Sequence, residues 1–130
     1  MDSFDPSFNV SIDRVHCVVR FAASGMWEEK QIKEASVKIG EAAAPFILAK
    51  QRFSMLGDYS EAITQSQQAA IVIRSSIETA VKLGLARIGV VGASALVKMQ
   101  YKRMDDIVEI EFFDTKVDAL QWLRSNEQAA

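Results

Sequence analysis

The residues best equipped for chemistry in this chain are few. There is one histidine, His16, one cysteine, Cys17, and a pair of aspartates, Asp58 and Asp114, that follow apolar runs. A nucleophilic hydrolase needs a Ser or Cys beside an imidazole that a third group orients. His16 falls within an extended apolar segment with no such motif nearby, so an exposed or edge-facing histidine is expected. Cys17 falls on the apolar side of the same segment and reads as a small core residue. A lone Cys and a lone His cannot assemble a Cys/His zinc site or an internal disulfide, and the chain is compatible with a reducing cytosol.

Asp58 and Asp114 could be imagined as a general acid and base. They would stand two strand steps apart, about 10 Å, beyond a retaining glycosidase pair and at the outer limit for an inverting one. Aspartate is also a common turn initiator, and that reading is preferred. Gly92-Ala93-Ser94 opens a helix, where free backbone donors and the dipole favour an anion. Its spacing matches neither a Walker loop nor a dinucleotide fingerprint, and Ser94 as an N-cap explains it with less. Of the two tryptophans, Trp27 lies near a loop and has the better claim to line a pocket or interface. Trp122 reads as a core anchor whose truncation to Ala would cost about 3–5 kcal/mol. No catalytic constellation, metal site or cofactor fingerprint emerges, so neither an enzyme nor a bound cofactor is expected.

These residues must be positioned by elements, and the elements are legible. Phe8, Val10 and Ile12 alternate with Asn9, Ser11 and Asp13, the period of a strand buried on one face. Asp13-Arg14 reads as a tight turn into a second strand over residues 15–22, with Val15, Cys17, Val19 and Phe21 on one side and His16, Val18 and Arg20 on the other. Gly25 stops it. The stripe Ile32, Ala35, Ile39, Ala42 and Ala43 predicts a helix over 27–44, which Pro45 should end or kink. Residues 46–48 are ambiguous between a last helical turn and a packed loop.

A short strand over 53–57 precedes a long helix reaching about residue 85. Thr64 or Ser66 would cap it, and Ala69, Ile73, Ile77, Ala80 and Leu83 form its stripe. Residues 87–91 and 108–113 are β-branched and apolar, the mark of buried parallel strands. Between them Ser94 caps a short helix carrying Leu96, Val97 and Met99. Thr115 and Asp118 resemble a capping box for a last helix that groups Val117, Leu120 and Leu123. The expected fold is thus α/β, an N-terminal β-hairpin followed by β-α units on a mostly parallel sheet, in one domain over 1–130. Exit loops at 24–27, 57–60, 92–94 and 114–115 should gather along the carboxyl edge of that sheet, where α/β folds place their sites.

Composition narrows the function classes. The chain has 130 residues, 49% of them hydrophobic and 25% charged, enough for a real core and far from disorder. A net charge of −2 with interspersed signs argues against nucleic-acid or anionic-lipid binding. The first residues lack the basic start and apolar core of a signal peptide. The uncharged run over 62–73 is too short and too rich in Gln and Ser to insert in a membrane. A cytoplasmic, water-soluble protein is expected.

The run Ile88-Gly89-Val90-Val91-Gly92-Ala93-Ser94-Ala95-Leu96, then Val108-Glu109-Ile110-Glu111-Phe112-Phe113-Asp114 and Asp118-Ala119-Leu120-Gln121-Trp122-Leu123, resembles the closing half of the SpoIIAA-like family. That family is related to STAS domains, named for sulfate transporters and anti-sigma factor antagonists. The opening hairpin and Phe53-Ser54-Met55-Leu56-Gly57-Asp58 are similar to its earlier strands. The resemblance implies a bacterial, cytoplasmic, often homodimeric and non-enzymatic β-α domain that works through a protein partner. In anti-sigma factor antagonists a serine in an Asp-Ser-Ser-Gly context is phosphorylated to control that partner. Here the region reads Asp58-Tyr59-Ser60-Glu61-Ala62-Ile63-Thr64-Gln65-Ser66-Gln67, which lacks the motif and its glycine.

Three functions remain in play at this stage. The leading one is an interaction module whose partner meets the loop edge over 58–66, Trp27, and the neighbouring Tyr59, Ser60, Thr64, Ser66, Ser94 and Asp114. The second is a carrier or sensor of a small apolar ligand between the helices, near Phe46, Phe53, Met55 and Met99. The third is an enzyme using Asp58, Asp114 and a helix N-terminus.

Overall fold

The computed structural model describes residues 7–25, 27–61 and 65–125. β1 (Ser7–Asp13) pairs antiparallel with β2 (Val18–Ser24), setting Val10 opposite Phe21 and Ile12 opposite Val19. The connection is wider than the tight turn expected. Asp13 pairs with Val18, so residues 14–17 form the turn and β2 starts three residues late. The Asp13 carboxylate decides this by accepting from the His16 amide at 3.2 Å while its other oxygen lies 2.9 Å from His16 Nδ1. Val15 is consequently 83% exposed, and Cys17 sits half-buried at a positive φ of 55°, at the edge of the core rather than in it.

α1 (Glu29–Leu48) starts from a capping box in which Glu28 and Gln31 each serve the other's backbone. It continues through Pro45 for three more residues, so 46–48 are its last turn. Proline deletes one donor there, while Phe46, 3% exposed, anchors the following turn in the core. β3 (Phe53–Asp58), α2 (Gln67–Lys82), β4 (Leu85–Val91), α3 (Ala95–Lys102), β5 (Glu109–Phe113) and α4 (Lys116–Ser125) complete the chain. Ser66 caps α2 by accepting from the Ala69 amide, and Ser94 caps α3 by accepting from the Val97 amide. Thr115 accepts from the Asp118 amide at the start of α4.

The strands form one sheet in sequence order, with β2 to β5 all parallel. Strand alternation splits its faces. Val19, Phe21, Met55, Ile88, Val90 and Ile110 meet α1, α2 and α3 in the main core. Val18, Leu56 and Val91 meet Ala119 and Leu123 of α4 in a smaller cluster on the other face. Four residues assigned to apolar stripes are instead exposed: Leu83, Leu96, Met99 and Val117. Leu83 is the C-cap just past α2, and the others lie on the outer side of short helices; on α3 the inward residues are Val97 and Tyr101, one turn apart, and Met99 falls between them on the outer side. Trp122 is half-buried beside the smaller cluster rather than at its centre.

Candidate ligand cavity and strand-exit rim

The parallel register brings the carboxyl ends of β2 to β5 level, pairing Ala22 with Asp58, Asp58 with Val91, and Val91 with Phe113. Backbone bonds stitch the exits together. Gly25 donates to Glu61 O at 3.2 Å, Tyr59 to Val91 O at 2.9 Å, and Gly92 to Phe113 O at 3.1 Å. Gly92 is required here twice over, because its φ is +73° and a Cβ would run into Ser60. Asp58 organises the centre by accepting from both the amide and the hydroxyl of Ser60, at 3.0 and 2.7 Å, with Lys116 Nζ 3.4 Å away. Partial burial opposes ionisation of Asp58, but these donors and the lysine outweigh it and hold the carboxyl below its ordinary value. The pairing engages Asp58 with Lys116; Asp114 is exposed beyond β5.

The residues singled out from the sequence divide between two places. Asp58, Ser60, Ser94 and Asp114 lie on the rim, Ser94 as the exposed cap of α3. Tyr59 and Trp27 turn inward and line a cavity, and Ser66 caps α2 beside it. Thr64 and Met26 lie outside the described residues. His16 is at the opposite end of β2, in the hairpin turn.

The cavity, about 350 Å³, lies between α1, α2 and the sheet. It exists because the helices face it with small residues. Ala35, Ala43 and Ala80 stand beside Ser36, Gly40 and Ser76. Ser36 Oγ and Ser76 Oγ meet at 2.9 Å and hold the helices together, while too little side-chain volume hangs beneath them to reach the sheet. Gly40 would present its Cβ to open space.

At the rim end the cavity is walled by a run of aromatic contacts. Trp27 meets Phe8 edge-on at 5.7 Å, Phe8 stacks on Phe21 at 5.9 Å, Phe21 meets Tyr59 edge-on at 5.6 Å, and Tyr59 packs on Tyr101 at 4.8 Å. Gly57 permits this approach, since a Cβ there would lie 2.7 Å from the Phe21 ring. Burial raises the Tyr59 hydroxyl well above its ordinary value, with Tyr101 adding to the effect. Burial likewise pushes Tyr101 up to about 12.

Two carboxamides latch the same end. Gln65 Oε1 accepts from the Trp27 amide at 2.7 Å while its Nε2 donates to Gly25 O at 3.3 Å. Gln100 Oε1 accepts from the Gln65 amide at 3.1 Å and its Nε2 donates to Gln65 O at 2.8 Å. The β2–α1 loop, the start of α2 and α3 are thereby joined. Sequence reasoning missed Gln65, Gln100 and Tyr101. The signal available was faint, namely one glutamine just before a helix cap and one within a short helix, where many polar residues would serve.

Among the described residues no group of three or more His, Cys, Asp or Glu side chains could hold a metal ion, and no helix is long and apolar enough to cross a membrane.

No family model and no curated protein matches the sequence. Solved structures do match in shape. An uncharacterised protein of the DUF3478 family from Shewanella loihica, described as having a SpoIIAA-like fold, superposes with a TM-score of 0.70 at 21% identity, covering 95% of this chain and 98% of that one. The anti-sigma factor antagonist SpoIIAA in its unphosphorylated form gives 0.61 at 12% identity, covering 91% and 98%. An anti-sigma factor antagonist from Mycobacterium paratuberculosis gives 0.62 at 14% identity, covering 95% and 97%. The chain therefore has a SpoIIAA-like α/β fold, with the antiparallel hairpin leading into the parallel sheet. Its structural neighbours include anti-sigma factor antagonists.

Proposed function

We propose that this chain is a non-enzymatic regulatory module of STAS type that contacts a protein partner through the strand-exit rim, in a bacterial cytosol and as a homodimer. The observation that carries the reading is the stitched rim, where Asp58 and its ligands fix an exposed surface running from Ser60 to Ser94 and Asp114. The anti-sigma factor antagonists among the structural neighbours support a protein as the partner. The test is affinity capture with wild type and with the Glu61→Arg/Asp114→Arg variant, both side chains being exposed and neither bonded to Asp58. A partner held by wild type and lost by the variant is expected. Recovery of nothing above background, or of the same proteins by both baits, overturns the reading.

A second reading, a carrier or sensor of a small apolar ligand, is favoured by the cavity between α1, α2 and the sheet. Phe53 and Met55 border it, whereas Met99 lies exposed on the outer side of α3 and takes no part. Phe46 is packed against Phe53 at 6.1 Å in the core behind. Native mass spectrometry of gently purified protein should reveal a mass above that of the bare chain, and the bare mass alone would remove this reading.

A further inference from the structure

The cavity lining has a marked chemical bias. Aromatic and aliphatic side chains, hydroxyls and carboxamides line it, and among the described residues no Lys, Arg, His, Asp or Glu does so. An ion entering such a space would leave its hydration without meeting a counter-charge, so the lining selects neutral molecules. On the scale of a cavity of about 150 Å³ that accepts benzene, about 350 Å³ admits about two such rings.

Of the polar groups in this wall, two phenols stand together at its aromatic end. Tyr59 and Tyr101 are 7% and 8% exposed, both line the cavity, and their rings pack at 4.8 Å. Two phenols carry two hydrogens, of which a bond between them could use only one, and among the described residues no other side chain or backbone group is bonded to either hydroxyl. The pair therefore keeps one donor to spare, in a setting where buried donors ordinarily find an acceptor.

Resting on the ligand-binding reading above and deepening it, we propose that the cavity is the site of a neutral apolar molecule of about two rings bearing one hydrogen-bond acceptor, such as an aryl ketone or ester. The acceptor takes the spare hydrogen of the Tyr59–Tyr101 pair, while the rings lie against Phe21, Met55 and the alanine faces of α1 and α2.

The probes are benzophenone, which carries a carbonyl between two rings, diphenylmethane, its counterpart without the acceptor, and 4-benzoylbenzoate, its charged form. Each is titrated by saturation-transfer NMR against wild type and the Tyr59→Phe/Tyr101→Phe variant. Removing both hydroxyls together leaves neither phenol with a lost partner, so the variant keeps its packing. Benzophenone should bind wild type, and the variant should weaken it by about 3- to 10-fold. Diphenylmethane should bind both proteins alike, and 4-benzoylbenzoate should bind wild type at least about 10-fold more weakly than benzophenone. Equal benzophenone affinity for the two proteins, or a parallel fall for both neutral probes, overturns acceptor recognition while leaving an apolar cavity. Binding of neither neutral probe overturns the site together with the reading it rests on. Tighter binding of the charged probe overturns the selection for neutral molecules.

Discussion

Single residues divide between those that fasten the fold and those left on its surface. Asp58 belongs to the first group, because Ser60 and Lys116 engage its carboxylate. Its folded-state pKa lies below the ordinary 3.8, so its contribution to stability is in full force above that value and is lost as pH falls below it. Asp58→Asn should therefore show a smaller loss of denaturation midpoint between pH 6 and pH 3 than wild type, and equal losses would remove Asp58 as a fastener. Arg87 is a fastener that its position at a strand start did not disclose. It is 7% exposed, bonded to Glu109 at 2.8 Å and to Trp122 O at 3.2 Å, with its guanidinium 4.0 Å over the Trp122 ring. A charged side chain is tolerated there because a half-exposed carboxylate and an aromatic face substitute for water.

Elements were legible wherever a local signal decided them. Short apolar runs bounded by turn residues marked β3, β4 and β5, and Ser66, Ser94 and Thr115 marked the starts of α2, α3 and α4. Ser66 is the clearest instance, accepting from the Ala69 amide at 3.1 Å to open α2. Ser66→Ala should lower stability by about 1 kcal/mol and Ser66→Gly by only a few tenths, measured by chemical denaturation; equal effects would assign the loss to something other than the cap. Boundaries slipped where the decisive partner was distant or the local rule was overridden. The hairpin turn widened because Asp13 bonds His16, and α1 outran Pro45 because Phe46 is buried in the core. The outward turn of Met99 followed from which arc of a short helix faces the sheet.

At the scale of the molecule the sheet separates two packings of different character. The α4 face is filled closely, with Ala119 wholly buried, while the α1–α2 face leaves about 350 Å³ open above Met55 and Ile88. The paired phenols at the cavity end make the whole fold sensitive to alkali. Both are raised above the ordinary value of 10.0 by burial, so their contribution is complete below pH 10 and is lost as pH rises toward about 12. The urea midpoint of wild type should fall further between pH 8 and pH 11 than that of Tyr59→Phe/Tyr101→Phe, and equal falls would deny the pair this role. Sequence alone determined the succession of strands and helices, the parallel order and the edge at which their exits gather, because hydrophobic period and turn chemistry are written in neighbouring residues. Only tertiary structure decided that Gln65 and Gln100 latch three segments, that Arg87 is buried, and that Tyr59 and Tyr101 meet at the end of an unfilled space. Those outcomes depend on how much volume two helices of small residues leave above a sheet, a quantity that no local stretch of sequence encodes.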